Sequence, residues 1–449
     1  MDGVPIWVVG GGLAGCEVAL QLARRGISVR LFEMKPHRRT EAQVTDDLAE
    51  LVCSSSFRAA SVDNAVGALK EEMRIAGGAL IAFADETRVP AGGALAVDRI
   101  KFAEVVGRAI REHPHIELVH EEVTELPDPE VAPTVVLATG PLTSPALASR
   151  IEALCGGERL YFYDAIAPIV DASSVDMNIA WRGSRYGKGE GDEYLNLPLS
   201  KEDYQRFLDG LEGAEKVTPR DFEEARYFEG CLPIEVMASR GPETLRYGCM
   251  KPVGLPDPRT GKPPHAVVQL RPENREHTAY NIVGFQTRMK HGAQREVFRA
   301  LPGMAEAEFL RMGSIHRNTY IESPQLLDAE LRMKSRPQIA FAGQITGVEG
   351  YVESIACGML VAFGILARRA GRAFVPPPPT STLGALHRHV LGEDRDHAAG
   401  THPHVPSNIH WGLTPAIGVK AKKRDRKMLM GERALAAGRE WWAAEGAHF

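Results

Sequence analysis

Two cysteines lie in sequence contexts that suit a reactive thiol. Cys53 is followed by three serines in a polar segment, and Cys231 stands between a Glu-Gly pair and a Leu-Pro pair. A thiolate is a strong nucleophile, so both positions are candidates for covalent catalysis. No Cys-x-x-Cys pair occurs, which argues against a zinc ribbon or a paired redox site. The remaining cysteines are expected to be small buried side chains, as most single cysteines are: Cys16, Cys155, Cys249 and Cys357.

A Gly-x-Gly-x-x-Gly pattern at Gly10, Gly12 and Gly15 indicates a dinucleotide site. The first glycine permits a tight turn, the second lets the backbone approach a pyrophosphate, and the third allows close packing of helix and strand. The N-terminus of the following helix presents unpaired N–H groups to the phosphates. Glu33, at the end of the next strand, is expected to bond the ribose hydroxyls. Its charge disfavours a ribose 2′-phosphate, and therefore NADP, at this position.

Two later strand-to-glycine turns favour FAD over NAD. They end at Gly140 and Gly343, and the second leads to a helix beginning at Tyr351, whose N-terminus is expected to face the flavin ring. No second glycine pattern exists, so an external NAD(P)H would have to bind at the flavin face. The predicted cofactor residues are Gly10, Gly11, Gly12, Leu13, Ala14, Gly15, Glu33, Thr139, Gly140, Gly343, Gly350 and Tyr351.

The hydrophobic pattern predicts the elements that hold these residues. A strand–turn–helix–strand unit is expected in the first part of the chain, with further buried strands and two apolar helices beyond it. The segment 40–64 is polar and is predicted to be a long functional loop. The predicted strands are 5–9, 27–32, 131–137, 266–270 and 339–343, and the predicted helices are 16–25, 66–76 and 351–370.

The fold class that these elements predict is α/β, with a Rossmann-type, glutathione-reductase-like FAD-binding domain. Residues 151–330 contain more aromatic residues, Gly-Pro breaks and short strands, and are predicted to be an inserted mixed α/β domain. The FAD-binding domain would then consist of residues 1–150 and 331–449, and its second part ends in a basic tail. A length of 449 residues suits two domains.

The composition is that of an ordinary globular protein. Hydrophobic residues make up 44% and charged residues 25%, and the formal net charge is −5. No global basic field is present, so any RNA contact must use local patches. No apolar run was expected to approach the length of a membrane span, and the N-terminus does not resemble a signal peptide. A cytoplasmic protein without membrane or metal partners is the expectation.

Seven motifs together resemble one known family over nearly the whole chain. The set resembles the methylenetetrahydrofolate- and FAD-dependent tRNA uracil-5-methyltransferases. The motifs are GGGLAGCE at 10–17, LVCSSS at 51–56, VPAGGALAVDR at 89–99, FEGCLPIE at 228–235, MKPVGL at 250–255, HRNTY at 316–320 and GVEGYVES at 347–354.

The resemblance implies an enzyme that forms ribothymidine at uridine 54 of the tRNA T-loop. 5,10-Methylenetetrahydrofolate would supply the carbon, and reduced FAD, recharged by NAD(P)H, would supply electrons. Uracil C5 becomes nucleophilic when a thiolate adds at C6. The resemblance assigns this work to the two cysteines: Cys231 as the nucleophile, and Cys53 near the flavin, where it assists proton transfer or shields a flavin adduct.

Substrate contacts are predicted at several polar positions. His277 and Tyr351 are candidates for the folate, whereas Lys251 and Arg271 could meet its glutamate tail or RNA phosphates. An exposed loop is an equally good interpretation of His277. A basic run at 420–427 could bind tRNA phosphates, although a solvated helix face is the alternative. The residues predicted from this run are Lys422, Lys423 and Arg424.

Other functions remain open at the level of sequence. A related flavoprotein could methylate a uridine of ribosomal RNA, since few motif changes would be needed. A metabolite-directed FAD oxidoreductase would usually carry a redox cysteine pair or a second nucleotide motif, and this chain has neither. A non-catalytic flavoprotein would not need Cys53 and Cys231 in these contexts.

Overall fold

The structure, a computed structural model, describes residues 4–156, 160–187, 194–217, 232–272, 277–393, 406–419 and 422–449. The predicted nucleophile Cys231 lies outside the described residues. The described part contains four β-sheets and two large hydrophobic cores.

The strands are short, and most are buried on at least one face. In chain order they are β1 (Ile6–Val9), β2 (Val29–Glu33), β3 (Ser56–Ala59), β4 (Arg88–Val89), β5 (Ala94–Val97), β6 (Ile116–His120), β7 (Val135–Leu137), β8 (Leu160–Ile166), β9 (Ile169–Asp171), β10 (Trp181–Arg182), β11 (Leu195–Leu199), β12 (Ala266–Pro272), β13 (Ala279–Ile282), β14 (Phe309–Arg311), β15 (Ser314–Tyr320), β16 (Arg332–Met333) and β17 (Arg336–Phe341).

The α-helices range from single turns to six turns. In chain order they are α1 (Leu13–Ala23), α2 (Ala65–Ile75), α3 (Ala79–Glu86), α4 (Arg99–Arg111), α5 (Pro145–Leu154), α6 (Lys201–Gly213), α7 (Ile234–Ser239), α8 (Thr244–Tyr247), α9 (His291–Arg299), α10 (Ser323–Leu326), α11 (Tyr351–Arg369), α12 (Thr382–Val390) and α13 (Lys423–Glu445).

The first sheet is the predicted Rossmann-type sheet. Its order is β16-β17-β7-β1-β2-β6, and all neighbours are parallel except the edge pair β16–β17. Helices α1 and α4 pack on this sheet, and its central strands β1 and β7 are apolar runs. The first core contains side chains from residues 6–151 and 321–441, so the beginning and the end of the chain pack together.

The second sheet is antiparallel, with the order β10-β11-β12-β13-β9-β14. One of its faces packs on α6 and α9 and forms the second core, which draws on residues 170–307. The paired strands β8 and β15 join this region to the first core. The boundaries at residues 151 and 330 stay a prediction, since the two cores show only which side chains pack together.

Helix α11 is the one helix, among the described residues, that is long and apolar enough to cross a membrane. The expectation that no apolar run approaches that length was therefore wrong. However, 89% of its apolar window is buried inside the protein, because it packs against α1 in the first core. Its apolar character therefore has a structural cause in the packing of this core.

Two other details differ from the sequence-based expectations. The segment 40–64 is not a continuous loop, because it contains β3, which pairs with β5. The predicted strand 131–137 is shorter, and only Val135–Leu137 pairs with β1 and β17.

The long C-terminal helix α13 was not predicted as a core element. Phe363 of α11 stacks on Phe449, with ring centroids 4.7 Å apart, and also contacts Trp441 and Trp442. A Cβ on Gly431 would lie 2.3 Å from the carbonyl oxygen of Val62, so only glycine permits this approach. The end of the chain is therefore fastened to the first core.

Glu72 of α2 is a buried carboxylate that caps α12. It accepts hydrogen bonds from the backbone N–H groups of Thr382 and Leu383, both at 2.8 Å. Burial raises the pKa of Glu72 to about 7. Between the unfolded-state pKa, about 4.3, and 7, the folded protein holds a proton that the unfolded chain has lost, so the free energy of unfolding falls as pH rises through this window.

We expect Glu72→Gln to remove this pH dependence. The free energy of unfolding of the variant, measured relative to the parent by urea denaturation, should rise by on the order of 1–3 kcal/mol between pH 5 and pH 7.5. Glu71→Gln is the matched control, since Glu71 is part-exposed on the same helix and pairs with Arg74. A constant difference between Glu72→Gln and the parent at both pH values would contradict the expectation.

Candidate functional site

A cavity of about 1080 Å³, counting its open mouth, lies at the carboxyl ends of the strands of the first sheet. This is the edge at which open α/β sheets bind ligands. Its volume suits a large cofactor. The lining residues come from three parts of the chain: residues 9–52, residues 121–147, and Gly343, Gln344, Tyr351 and Ser354.

The glycine turn between β1 and α1 forms one wall of the cavity. Gly10 has a φ of +110°, and a Cβ there would lie 2.4 Å from the carbonyl oxygen of Ala138. A Cβ on Gly15 would lie 1.9 Å from the carbonyl oxygen of Gly10, so this glycine serves the packing of α1 and does not line the cavity. A Cβ on Gly12 would meet nothing within 4 Å. Gly12 therefore leaves open the space into which the N-terminus of α1 points.

Glu33 lines the cavity at the end of β2 and is 5% exposed. Its carboxylate accepts hydrogen bonds from the backbone N–H groups of Gly11 and Lys35, both at 3.0 Å. A Cβ on Gly11 would come within 2.8 Å of this carboxylate, which explains the middle glycine. The carboxylate is thus fixed in position, and its remaining lone pairs can accept bonds from the hydroxyls of a ribose.

The wall beside the glycine turn is formed by the turns that end at Gly140 and Gly343. Both glycines have positive φ angles, +67° and +81°, and Thr139 shares a hydrogen bond of 2.6 Å with Thr143. Gly343 lies against Ala14, where a Cβ would be only 2.7 Å from the Cβ of Ala14. All four of these residues, Thr139, Gly140, Gly343 and Ala14, line the cavity.

The first turn of α11 completes this wall. Tyr351 and Ser354 line the cavity, whereas Gly350 caps the helix and does not. Gly350 has a φ of +103°, and a Cβ there would lie 2.5 Å from the carboxylate of Glu353. Of the predicted cofactor residues, Gly15 and Gly350 therefore do not line the cavity but pack against the residues beside it. The other ten line it.

Cys53 lies beside the mouth of the cavity, next to the lining residue Val52. The hydroxyl oxygen of Tyr351 accepts hydrogen bonds from the backbone N–H groups of Cys53, at 2.7 Å, and Ser54, at 3.1 Å. Burial raises the pKa of the Tyr351 phenol, so the group stays protonated. The hydroxyl therefore holds the Cys53 loop against the N-terminus of α11.

Arg311 brings positive charge to the same place from β14. Its guanidinium donates to the carbonyl oxygen of Val52 and, at 3.1 Å, to that of Ala42. Burial lowers the pKa of Arg311, and the positive charge of nearby Arg99 adds to the effect. No sequence motif pointed to Arg311, because its role depends on how the second sheet packs on the first region.

Two further charged residues, Glu50 in the 40–64 segment and Lys35 just after β2, lie together at the edge of the cavity. Glu50 lines it and accepts hydrogen bonds from the backbone N–H groups of Val44, at 2.8 Å, and Thr45, at 3.2 Å. The ammonium group of Lys35, which is 1% exposed, lies 3.4 Å from Glu50 and donates to the carbonyl oxygen of Asp47. These contacts were not predicted individually, although the polarity of the segment had marked it as functional.

A late segment of the chain closes over the N-terminus of α11. Ser407 pairs with Val348, the side chain of Asn408 donates to the carbonyl oxygen of Glu349, and the N–H of Ile409 donates to Glu353 at 2.8 Å. We call residues 407–413 the strap. Within it the indole N–H of Trp411 donates to the carbonyl oxygen of Asp63 at 2.8 Å, so this tryptophan anchors the tail.

The second sheet turns one face towards this site, and we call it the inner face. It is the face opposite the second core and carries Asn196, Arg271, Asn281 and Ile169. The hydroxyl of Tyr194, just before β11, donates to the carbonyl oxygen of Ala91 at 3.3 Å. Together with the bonds of Arg311, this contact fixes the inner face over the Cys53 loop and the β4–β5 turn.

Of the predicted substrate residues only Tyr351 lines the cavity, and the others lie in the region of the second sheet and in the tail. His277 has a φ of +55° and bonds Tyr280 and Arg182, at 3.1 and 3.2 Å. Lys251 is exposed. Arg271 is buried on the inner face.

The basic run begins helix α13. Lys422 is exposed at its N-cap, and Lys423 and Arg424 form the first residues of the helix. Gly431 of the same helix packs on Val62, about 12 Å along the helix axis from Lys423. The start of α13 therefore lies about two helical turns beyond the segment that follows β3.

Within the described ranges, no group of three or more His, Cys, Asp or Glu side chains could hold a metal ion. The cavity instead offers backbone N–H groups, a fixed carboxylate and close-approach glycines, which is the combination that binds a dinucleotide.

Comparison with known proteins assigns this architecture to a family. Residues 5–373 match the family described as glucose inhibited division protein A. Among solved structures, GidA of Aquifex aeolicus has a TM-score of 0.68 at 16% identity, covering 98% of this chain and 73% of that one. At this identity the likeness shows the fold, a Rossmann-type α/β arrangement, and confirms the predicted fold class.

Curated relatives are similar over almost their entire length. A protein of Geobacter sulfurreducens is 56% identical over 98% of this chain and 99% of its own length, and one of Myxococcus xanthus is 54% identical over 96% and 93%. A protein of Anaeromyxobacter dehalogenans is 55% identical over 97% and 95%. All three are named methylenetetrahydrofolate–tRNA-(uracil-5-)-methyltransferase TrmFO.

The neighbouring glycines 11 and 12 give a matched test of the cavity wall. Gly12→Ala should leave the melting temperature of the FAD-free protein unchanged, because its Cβ meets no protein atom, but should weaken FAD binding at least tenfold, about 1.4 kcal/mol. Gly11→Ala should lower both the melting temperature and the FAD affinity, because its Cβ would come 2.6 Å from Leu48 and displace Glu33. Flavin titration and thermal melts measure the two effects. Unchanged FAD affinity in Gly12→Ala would contradict this assignment of the wall.

Proposed function

Because this chain belongs to the family of methylenetetrahydrofolate–tRNA-(uracil-5-)-methyltransferases, we propose that it methylates C5 of a uracil in tRNA with carbon from 5,10-methylenetetrahydrofolate. The observation that carries this proposal is the position of Cys53. Cys53, in a family motif, directly follows the lining residue Val52, its backbone N–H bonds the lining residue Tyr351, and Arg311 bonds the same loop. A cavity, a thiol and positive charge in one place suit covalent chemistry on a pyrimidine next to a flavin.

The cavity wall fits FAD. Gly12 leaves room for a pyrophosphate at the N-terminus of α1, Glu33 is fixed for a ribose, and the first turn of α11 faces the remaining space through Tyr351 and Ser354. Bound FAD, once reduced, supplies the two electrons that convert a transferred methylene unit into a methyl group. NAD(P)H is the proposed source of those electrons. Its binding place is assigned to the open mouth of the cavity, since the sequence contains no second glycine pattern.

The side chains around Cys53 would position this thiol and keep water away from it. Tyr351 bonds two successive N–H groups of the loop, so the backbone of Cys53 cannot move independently of α11. Arg311 fastens the other side of the loop to the second sheet. In this arrangement Cys53, in its thiolate form, could take the proton that must leave uracil C5 after the new carbon–carbon bond has formed, and would become a thiol.

Cys231 is the proposed nucleophile toward uracil C6, and this assignment rests on the family resemblance. The nearest described residues begin at Leu232, which is 5% exposed and lies just before α7. Glu235 in α7 accepts bonds from Thr287 and from the N–H of Arg288, so the chain after Cys231 is tied to the second sheet region. The two thiols would thus be presented from different parts of the fold.

The tRNA is proposed to contact the second sheet and the basic start of α13. Lys422, Lys423 and Arg424 would bind its phosphates, and His277 and Lys251 would lie at the outer rim of the substrate region. The target would be uridine 54 of the T-loop. The names of the relatives do not favour a ribosomal RNA target or a metabolite-directed oxidoreductase. A cytoplasmic location accompanies this proposal, since tRNA and folate are used there.

The carbon source can be tested directly. The purified protein should contain FAD, and tRNA should receive label from methylene-labelled tetrahydrofolate and not from labelled S-adenosylmethionine. Digestion of the product and mass spectrometry should place the methyl group in the T-loop fragment. Label that enters only from S-adenosylmethionine would refute the proposed reaction.

The two thiols should differ in their effects on a trapped intermediate. Cys231→Ala should abolish the covalent adduct with 5-fluorouridine-substituted tRNA, whereas Cys53→Ala should keep the adduct and lose methyl transfer by about 10²-fold or more. Denaturing gels measure the adduct. Cys249→Ala is the control, because burial raises the pKa of that thiol to about 12 and keeps it protonated. An undiminished adduct in Cys231→Ala would overturn the assignment of the nucleophile.

A further inference from the structure

The inner face of the second sheet contains one polar row whose hydrogen bonds are complete. Asn196 donates to the carbonyl oxygens of Trp181, at 3.3 Å, and Gly183, at 2.9 Å, and accepts from Gln269 at 3.0 Å. The amide oxygen of Gln269 in turn accepts from Arg185 at 3.1 Å. This is the usual state of buried polar groups, which rarely lack partners.

The adjacent row on the same face is different. Arg271 and Asn281 are paired in register on β12 and β13 and are 9% and 3% exposed. Within the described part of the chain, the Nε of Arg271 and the Nδ2 of Asn281 are buried and have no hydrogen-bond partner. A buried donor without a partner destabilises the folded state, so two in register require an explanation.

Both donors lie on the row of the inner face that ends at Arg311. Asn281 is two strands away from Arg311, a separation of about 10 Å, and Ile169 lies between them on β9. Arg311 touches Val52, and Tyr194 touches Ala91 from the other end of the inner face. The open row therefore lies between the two contacts that hold the second sheet over Cys53.

The chemistry of the two groups defines what can satisfy them. Both are N–H donors, so their partner must offer acceptor atoms. Arg271 and Asn281 are in register on neighbouring strands, so a planar group that lies between the inner face and the Cys53 loop would meet this requirement. A lactam carbonyl of a heterocycle fits it.

We propose that Arg271 and Asn281 form a donor site for the ring carbonyl oxygen of a planar heterocycle that is bound over Cys53. Uracil and reduced pterin share this group, and both belong to the reaction, so the inference rests on the proposed function and deepens it. The site would explain two unmatched donors in a buried face whose neighbouring row is complete.

For uracil the site would also stabilise charge. When a thiolate adds to C6, the S–C6 bond forms, the C5=C6 π electrons move into the C5–C4 bond, and the C4=O4 π electrons become negative charge on O4. No proton or further reactant is needed for this step. Donors that are already aimed at O4 lower the barrier, and loss of one such donor typically slows a reaction by 10²–10³-fold.

The test uses stability as well as activity. Asn281→Leu has nearly the same size and removes the unmatched amide, so the melting temperature of the full-length protein should stay equal or rise. Formation of the 5-fluorouridine tRNA adduct should slow by about 10²-fold, with FAD content unchanged. Arg271→Lys keeps the charge but not the planar guanidinium group. It should likewise slow adduct formation without lowering the melting temperature or the FAD content.

Two control variants separate the donor site from a structural effect. Asn196→Leu, on the same face, should lower the melting temperature, because its amide bonds are made. Arg206→Lys, on the exposed surface of α6, should match the parent in every measurement. Lower stability in Asn281→Leu with unchanged adduct formation would show that the row is structural and overturn the proposal.

The two sources of the carbonyl give different results. If the donors hold uracil, adduct formation falls and the dissociation constant for tetrahydrofolate, measured by flavin fluorescence quenching, stays the same. If they hold the pterin, the dissociation constant rises at least tenfold and the adduct persists. Parent-like values in both measurements would refute the site. A parent protein that forms no adduct and binds no folate would refute the proposed function itself, and the donor site with it.

Discussion

Helix α1 is clamped between β1 and α11 at points where a glycine takes the place of a side chain. Gly15 approaches the carbonyl oxygen of Gly10, and Gly358 of α11 would place a Cβ 2.6 Å from the carbonyl oxygen of Ala14. A methyl group at Gly15 would push α1 away from the β1–α1 turn, and one at Gly358 would push α11 away from α1, since protein interiors are close-packed. The positions of Glu33, Tyr351 and the Cys53 loop all follow from this approach, because each is bonded to an element that α1 or α11 holds.

The second sheet uses its two faces for different purposes. One face is buried on α6 and α9 and supplies the stability of its region. The other lies over Cys53 and carries polar side chains, among them Arg271 and Asn281, at positions where apolar residues would pack better. Polar residues that reduce stability at a buried face are typical of functional sites. The sheet can carry them because its opposite face is fully apolar.

The sequence predicted the parts of the site that depend on local structure. The glycine turn, Glu33 and the first turn of α11 could be recognised, because their geometry is set within a strand–turn–helix unit. Arg311 and Asn281 could not, because they acquire a role only through the packing of the second sheet on the first region, and a single β-strand does not encode its partner. Likewise α13 resembled a basic solvated tail, since its tryptophans and Phe449 reveal their purpose only when Phe363 is placed beside them.

The strap has a consequence for biosynthesis. Residues 407–413 bond the helix end that carries Tyr351 and Ser354, whereas the lining of the cavity begins at Val9. A nascent chain emerging from the ribosome therefore lacks the last part of the lining until Ser354 has been translated, and it lacks the strap until later still. The coenzyme thus meets a complete cradle only late in translation.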